Sequence, residues 1–336
     1  RLQVDERQIR SRHVVLDVGA RARIPSIPGL DSVPYLTNES VLALDTLPEH
    51  LVILGGSYIS LEIGQIFRRF GSRVTVIEGG PRLAGREDAP VSDEIRSFLE
   101  EEGVEVWVES QVGLAAASAR GGVELTLQDR TVLEGSHLLL AVGRVPNTDK
   151  LGLETIGLRT NARGFIETDG QFRTQVPGIV ALGDVNGRGA FTHTAYQDGE
   201  IYIDALKGGT RSADDRISTY AMFTDPPLGR VGMTTREARA SGRTVLKASY
   251  AMDAVTKAAL DGERRGRIEV LVDADSHQIL GATCLGLFGD EIVQIVSALM
   301  HAGAPYSVLQ HMLPIHPTVA EFFPTILDGL APLGPE

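Results

Sequence analysis

The stretch LVILGGSYISLEIGQIFRRFGSRVTVIE, residues 51–78, constrains the fold more than any other part of the chain. It reads as strand, tight glycine turn, amphipathic helix and second strand, closed by an acidic residue. Leu51–Leu54 is a short apolar run of the kind a parallel strand needs when both its faces are covered. Gly55-Gly56-Ser57 makes the turn and lets the backbone approach a pyrophosphate, which would sit over the N–H groups of a helix start. Ile59, Ile63, Ile66, Phe67 and Phe70 recur at helical spacing and predict one buried helix face. Glu78 ends the second strand, where a carboxylate can accept hydrogen bonds from an adenosine ribose. A 2′-phosphate would meet like charge there, so NAD(H) is favoured over NADP(H). A full G-x-G-x-x-G motif has three glycines, and here Ser57 and Ser60 stand at the second and third. An ordinary buried βαβ unit would show the same strands and helix but would leave Glu78 without a task.

The chain has 336 residues, long enough for two or three domains with separate cores. Its 43% hydrophobic and 23% charged residues are ordinary for a globular protein. A net charge of −12 argues against nucleic acid or an anionic membrane as a partner, since both would repel it. No apolar run approaches the roughly 20 residues of a membrane span. The one cysteine, Cys284, lies in the apolar strand ILGATCLGL, where a buried inert thiol is expected. A lone cysteine excludes a disulfide within these residues and fits a reducing cytoplasm.

Four segments follow from the pattern. Residues 1–38 hold a strand at His13–Val18, then Gly19 and a proline-rich connector. Residues 39–147 form an α/β unit. After Glu78 come a helix at about Val91–Glu102, a strand at Val104–Val108, a hairpin-like pair at Val123–Leu127 and Thr131–Leu133, and the strand Leu138–Val142. Residues 148–214 are glycine-rich and weakly periodic, with one strand at Gly178–Leu182. Residues 215–336 alternate as antiparallel strands at Val245–Tyr250, Arg267–Val272 and Gln278–Leu287, followed by helices near Asp290–Ala302 and Tyr306–Met312. The fold class is α/β: a Rossmann-like doubly wound dinucleotide-binding domain, with a separate α+β domain at the C-terminal end.

Two further segments can carry chemistry. In GIVALGDVNG, Gly183-Asp184 ends a strand, where a carboxylate can bind a ribose or ribityl hydroxyl; a plain strand-to-turn bend accounts for the same residues. In HPTVAE, His316 and Glu321 can meet if the chain turns helical after Pro317, giving an oriented acid/base. A proline-bounded helix start with exposed side chains accounts for it as well. His193, His301 and His311 show no metal-ligand spacing, and no metal site is expected.

Taken together these segments resemble the pyridine nucleotide–disulphide oxidoreductases, the flavoenzyme family of dihydrolipoamide dehydrogenase, glutathione reductase and mercuric reductase. GGSYISLE…GSRVTVIE is similar to the family's NAD(P)H module and AVGRVPNT (Ala141–Thr148) to its strand beneath the nicotinamide. GIVALGD is similar to its second FAD segment, and HPTVAEFFPT to its C-terminal dimer signature. RVGMTTREARASG and GRGAFTHTAY resemble the mercuric-reductase-like subgroup in particular. The resemblance implies that Gly55, Gly56, Ser57, Tyr58 and Ile59 contact the NAD(H) pyrophosphate and Glu78 the ribose, with Glu62 and Gly143 near the nicotinamide. It places Gly19, Gly183 and Asp184 on FAD, with Thr192 and His193 close to the isoalloxazine. His316, oriented by Glu321, would act across a homodimer interface as acid/base toward a thiol, making residues 215–336 the dimerisation domain. Residues 1–38 and 148–214 would belong to the FAD-binding part.

The chain departs from the family's pattern in one respect. The resemblance implies a first FAD-binding glycine motif and a C-x-x-x-x-C redox pair ahead of Arg1, and neither occurs in these residues. Two functions are therefore expected. One is an FAD-dependent, cytoplasmic oxidoreductase passing hydride from NADH to FAD and on to a disulfide, metal ion or other small acceptor. The other, for these residues by themselves, is a nucleotide-binding, dimerising fragment without turnover, because without two thiols there is no dithiol relay.

Overall fold

A computed structural model describes residues 2–334. They fall into two compact units: the chain up to Arg23 with Gly143–Arg216, and Ile24–Val142 with the chain from Ile217 onward.

In the first unit, β1 (Leu2–Val4) and β2 (Arg7–Ile9) form an antiparallel hairpin, followed by β3 (Val14–Leu16) and β4 (Ala20–Ala22). The hairpin is absent from the sequence reading because β2 is exposed throughout and shows no buried face to set a period. After the chain returns at Gly143, β12 (Arg144–Pro146) pairs antiparallel with β4, and β13 (Ile179–Ala181) pairs parallel with β3. The helix α3 (Thr192–Leu206) closes the unit. It too is unpredicted, since Asp198 and Ile201 are the only residues it buries and they make no apolar stripe.

The second unit begins with β5 (His50–Leu54), α1 (Tyr58–Phe70), β6 (Arg73–Ile77), α2 (Ala89–Glu101) and β7 (Val104–Trp107). The antiparallel strands β8 (Val112–Ala117), β9 (Val123–Leu127) and β10 (Val132–Gly135) form a small sheet, and β11 (His137–Leu140) returns to the main one. The main sheet is parallel in the order β11-β5-β6-β7, the crossover pattern of a doubly wound dinucleotide fold. Every residue of β5 is buried, as a strand covered on both faces requires. β8 escapes the sequence reading because alanine is a poor strand former.

The buried face of α1 is only partly the one its apolar spacing predicts: Ile63 and Phe67 pack half-buried against the core, but the fully buried residues are others. Leu61, Ser60, Gly64 and Gln65 face inward, while Ile66 turns outward and Phe70 is 70% exposed. Small residues decide the orientation. A Cβ on Gly64 would lie 3.3 Å from Ile53 and 3.6 Å from Val74, so the glycine brings helix and sheet into close approach.

The rest of this unit is a six-stranded antiparallel sheet, ordered β14-β15-β18-β17-β16-β19. Its elements are β14 (Thr219–Met222), β15 (Leu228–Gly232), α4 (Thr235–Ala240), β16 (Val245–Ala251), α5 (Thr256–Asp261), β17 (Arg267–Asp273) and β18 (Ile279–Leu285). α6 (Gly289–His301), α7 (Ser307–Gln310), α8 (Phe323–Asp328) and β19 (Ala331–Pro332) complete it. A core of Val270, Ala282, Cys284, Val296, Phe323 and neighbours lies between the sheet and α6 and α8. Among the described residues no helix is long and apolar enough to cross a membrane.

Candidate active site

Gly55 takes φ +103°, and a Cβ there would stand 2.4 Å from the Ala141 carbonyl oxygen, so only glycine fits where β5 passes β11. Its N–H donates to the Ile77 carbonyl, 2.8 Å away. Gly56 N–H donates to Glu78 Oε2 at 2.6 Å, and Gly80 N–H donates to Glu78 Oε1 at 2.6 Å. Two backbone donors thus fix the carboxylate against the glycine turn, close enough that a Cβ on Gly56 would fall 2.9 Å from Glu78 Cβ. Ser57 is the extended residue that caps α1, and Tyr58 and Ile59 fall in its first turn. The first helical bond runs from Leu61 N–H to the Ser57 carbonyl, so the groups ahead of it are those a helix N-terminus offers to an anion. Ser60 is fully buried.

Glu62, one turn along α1, accepts from the Phe223 N–H at 2.7 Å. Burial pushes its carboxyl above the usual carboxylate range, against the opposing effect of that N–H.

Beside the turn lies a polar cluster that the sequence reading missed. The Tyr58 and Tyr220 hydroxyls both donate to Glu87 Oε1 at 2.8 Å, and Arg230 Nη1 donates to Glu87 Oε2 at 2.9 Å. Arg230 and Glu87 are buried. Burial and the Glu87 charge push both phenols above their ordinary pKa, so both serve as donors. Glu87 and Arg230 are 143 residues apart, and no local pattern links them.

His316 and Glu321 meet as expected: His316 Nδ1 lies 2.8 Å from Glu321 Oε2. Glu321 sits in a short helical turn, its N–H donating to Thr318 Oγ1 at 3.1 Å. The carboxylate is largely covered, whereas the imidazole is 71% exposed. Leu313, 98% exposed, and Ile315, 78% exposed, flank it.

The remaining candidates belong to the first unit. Gly19 (φ +64°) and Gly143 (φ +108°) both have open space where a Cβ would project. Gly183 N–H donates to Asp198 Oδ2 at 2.9 Å, and Asp184 Oδ2 lies 3.5 Å from Arg144 Nε. Thr192 and His193 are exposed at the start of α3, the His193 ring stacked on Phe191 with centroids 5.4 Å apart. The open backbone at Gly19 and the Asp184 carboxylate at a strand end are features that a flavin's sugar chain can use. Cys284 in β18 is fully buried, and burial pushes its thiol up to about 12, so it is inert. Among the described residues no cluster of three or more His, Cys, Asp or Glu side chains could hold a metal.

Residues 1–199 match the family described as pyridine nucleotide-disulphide oxidoreductase, and residues 218–326 match that family's dimerisation domain. The chain belongs to this family of FAD-containing, NAD(P)H-using flavoprotein oxidoreductases. It is 35% identical over 317 residues to the probable pyridine nucleotide-disulfide oxidoreductase RclA of Escherichia coli K12, covering 94% of this chain and 71% of that one. It is 32% identical over 318 residues to mercuric reductase of Streptomyces lividans, covering 93% of this chain and 66% of the relative. The solved structure of the HOCl-induced flavoprotein disulfide reductase RclA from Escherichia coli matches with a TM-score of 0.88 at 34% identity, covering 94% of this chain and 73% of that one.

Proposed function

We propose that this chain supplies the NAD(H) site and the acid/base dyad of a homodimeric oxidoreductase that moves electrons from NADH to a small-molecule acceptor. FAD, when bound, supplies the two-electron carrier between nicotinamide and acceptor. The observation that carries the reading is Glu78, held by Gly56 and Gly80 at the mouth of the glycine turn. Held there, the carboxylate is suited to accept hydrogen bonds from an adenosine ribose, and its charge disfavours a 2′-phosphate.

The roles of the other residues follow from their positions. Gly55, Gly56, Ser57, Tyr58 and Ile59 bind the pyrophosphate at the α1 N-terminus, and Glu62 lies further along the same helix toward the nicotinamide. Gly143 serves the nicotinamide with Glu62, and Gly19, Gly183, Asp184, Thr192 and His193 serve the flavin side. His316 is oriented through Nδ1 by Glu321, which leaves Nε2 directed away from the carboxylate, suited to move a proton to or from a thiol on a second copy. The exposed Leu313 and Ile315 around it give that copy an apolar surface to cover. A single buried cysteine and a negative net charge suit a reducing cytoplasm with neither nucleic acid nor anionic membrane as a partner.

The test is anaerobic titration of the full-length protein with NADH and with NADPH, following the flavin absorbance. Bleaching by NADH at lower concentration than NADPH is expected; a flavin untouched by either nucleotide sinks the reading. A second reading rests on Cys284 being buried and alone: residues 1–336 expressed by themselves would bind NADH and dimerise without reducing a disulfide. Disulfide-reductase turnover by that segment would overturn it.

A further inference from the structure

Tyr58 is the first residue of α1, and a helical side chain leans back over the turn N-terminal to its own Cα. For Tyr58 that turn is Gly55-Gly56-Ser57. Its hydroxyl is anchored on Glu87, and the loop that carries Glu87 grips the glycine turn as well: Ala84 N–H donates to the Gly56 carbonyl at 2.7 Å. Glu87 is held from its other side by Arg230 of β15. The Arg230 guanidinium is itself fixed, Nη2 donating at 3.3 Å both to Asp88 Oδ2 and to the Met233 carbonyl, while Asp88 accepts from Thr235 N–H at 3.0 Å. A continuous hydrogen-bonded line therefore runs from the C-terminal antiparallel sheet to the start of the dinucleotide helix.

We propose that Glu87 is a positioning residue of the NAD(H) site: it fixes the Tyr58 ring beside the glycine turn, and Arg230 fixes Glu87. The inference rests on the reading of that turn as the dinucleotide site. A buried, charged acceptor is a costly way to rivet two elements together, since apolar packing would do as well. What a carboxylate adds is direction, because two phenols and a guanidinium can converge on it only from set angles. The ring is then already in place when the nucleotide arrives, and ordering it costs no affinity on binding.

The two tyrosines provide the experiment. Their hydroxyls reach the same Glu87 oxygen at the same 2.8 Å, but Tyr58 stands at the glycine turn and Tyr220 on β14 in the antiparallel sheet. Tyr58→Phe and Tyr220→Phe each delete one hydroxyl and keep the ring, avoiding the uncompensated Arg230 that Glu87→Ala would leave. In the full-length flavoprotein both should lower Tm to a similar extent. Tyr58→Phe should weaken NAD+ binding, read by calorimetry, and raise KM for NADH by about five- to tenfold, the worth of one hydrogen bond, with kcat little changed. Tyr220→Phe, whose hydroxyl shares the Glu87 oxygen and bonds Tyr58 as well, should change both constants by a clearly smaller factor, about two- to threefold. Equal effects of the two variants on nucleotide affinity, or no effect of either, overturn the proposal and leave the site assignment standing. Absence of nucleotide binding by the wild type would sink both.

Discussion

The glycine turn and the His316–Glu321 pair lie in the same compact unit and are finished to different degrees. At the turn, the chain answers its own polar groups: Glu78 takes two backbone N–H groups, Ala84 donates to the Gly56 carbonyl, and Gly55 N–H reaches Ile77. At the dyad, Glu321 answers one ring nitrogen of an imidazole that is otherwise 71% exposed and flanked by uncovered Leu313 and Ile315. A βαβ unit must be rigid to receive a nucleotide, so its stability and its binding share the same contacts. An acid/base acting on a second copy, the role proposed for His316, must keep its working face open, so its chemistry is separable from the stability of the fold. Substitutions at the two places should therefore register in different measurements.

The largest separation is expected at His316. His316→Ala in the full-length protein should reduce acceptor turnover by about 10²–10⁴-fold, the usual worth of a positioned acid/base. The same change should move stability by less than about 0.5 kcal/mol, because the side chain is exposed. Parallel kinetics and thermal melts check this. A loss of Tm as large as that of a core truncation would show that the dyad holds the fold, and the contrast would fail.

Gly55→Ala should strike both readouts together. The new Cβ would meet the Ala141 carbonyl at 2.4 Å, and the φ of +103° is strained for any L side chain. Strain and overpacking together should cost roughly 2–5 kcal/mol, seen in denaturant melts. NADH affinity should fall in the same variant. Stability lost without any change in affinity would remove the turn from the nucleotide site.

Glu78→Ala sharpens the comparison further. It leaves the Gly56 and Gly80 N–H groups without their acceptor, at about 1–3 kcal/mol of stability. The ratio of kcat/KM for NADH over NADPH should fall about tenfold as the ribose acceptor and the repelling charge vanish together. An unchanged ratio would mean that cofactor choice is made elsewhere.

What the residues disclose in advance differs between these places for physical reasons. The βαβ unit is legible because β5 and β6 are apolar runs bounded by glycine, and Glu78 stands where the second strand ends. The dyad is legible because its partners are five residues apart and a helical turn brings them together. The orientation of α1 is only partly legible: of the stripe Ile59, Ile63, Ile66, Phe67 and Phe70, Ile63 and Phe67 pack half-buried against the core while Ile66 and Phe70 turn outward, because Ser60 and Gly64 allow the closer approach to the sheet. α3 hides for want of an apolar face. The Glu87–Arg230 pair could be found only from the fold, because packing of the antiparallel sheet onto the core of the parallel one, not spacing, brings β15 to the start of α2.

The smallest expected effect concerns Glu62, which belongs to the turn's helix yet behaves neither like the closed turn nor like the open dyad. Burial raises its carboxyl above the ordinary range, and the Phe223 N–H only partly opposes this. A carboxyl whose folded pKa exceeds its unfolded pKa favours the fold in its neutral form. That contribution is fully present below the unfolded pKa and is lost as pH rises through the folded pKa. Glu62→Gln stays neutral throughout and keeps an oxygen for the Phe223 N–H. Its Tm should therefore match the wild type at acid pH and rise above it, by on the order of a degree, as pH climbs from about 4 to about 8. Parallel Tm curves across that range would show that Glu62 ionises in the fold as freely as in the unfolded chain, and the helix would then carry an ordinary surface carboxylate.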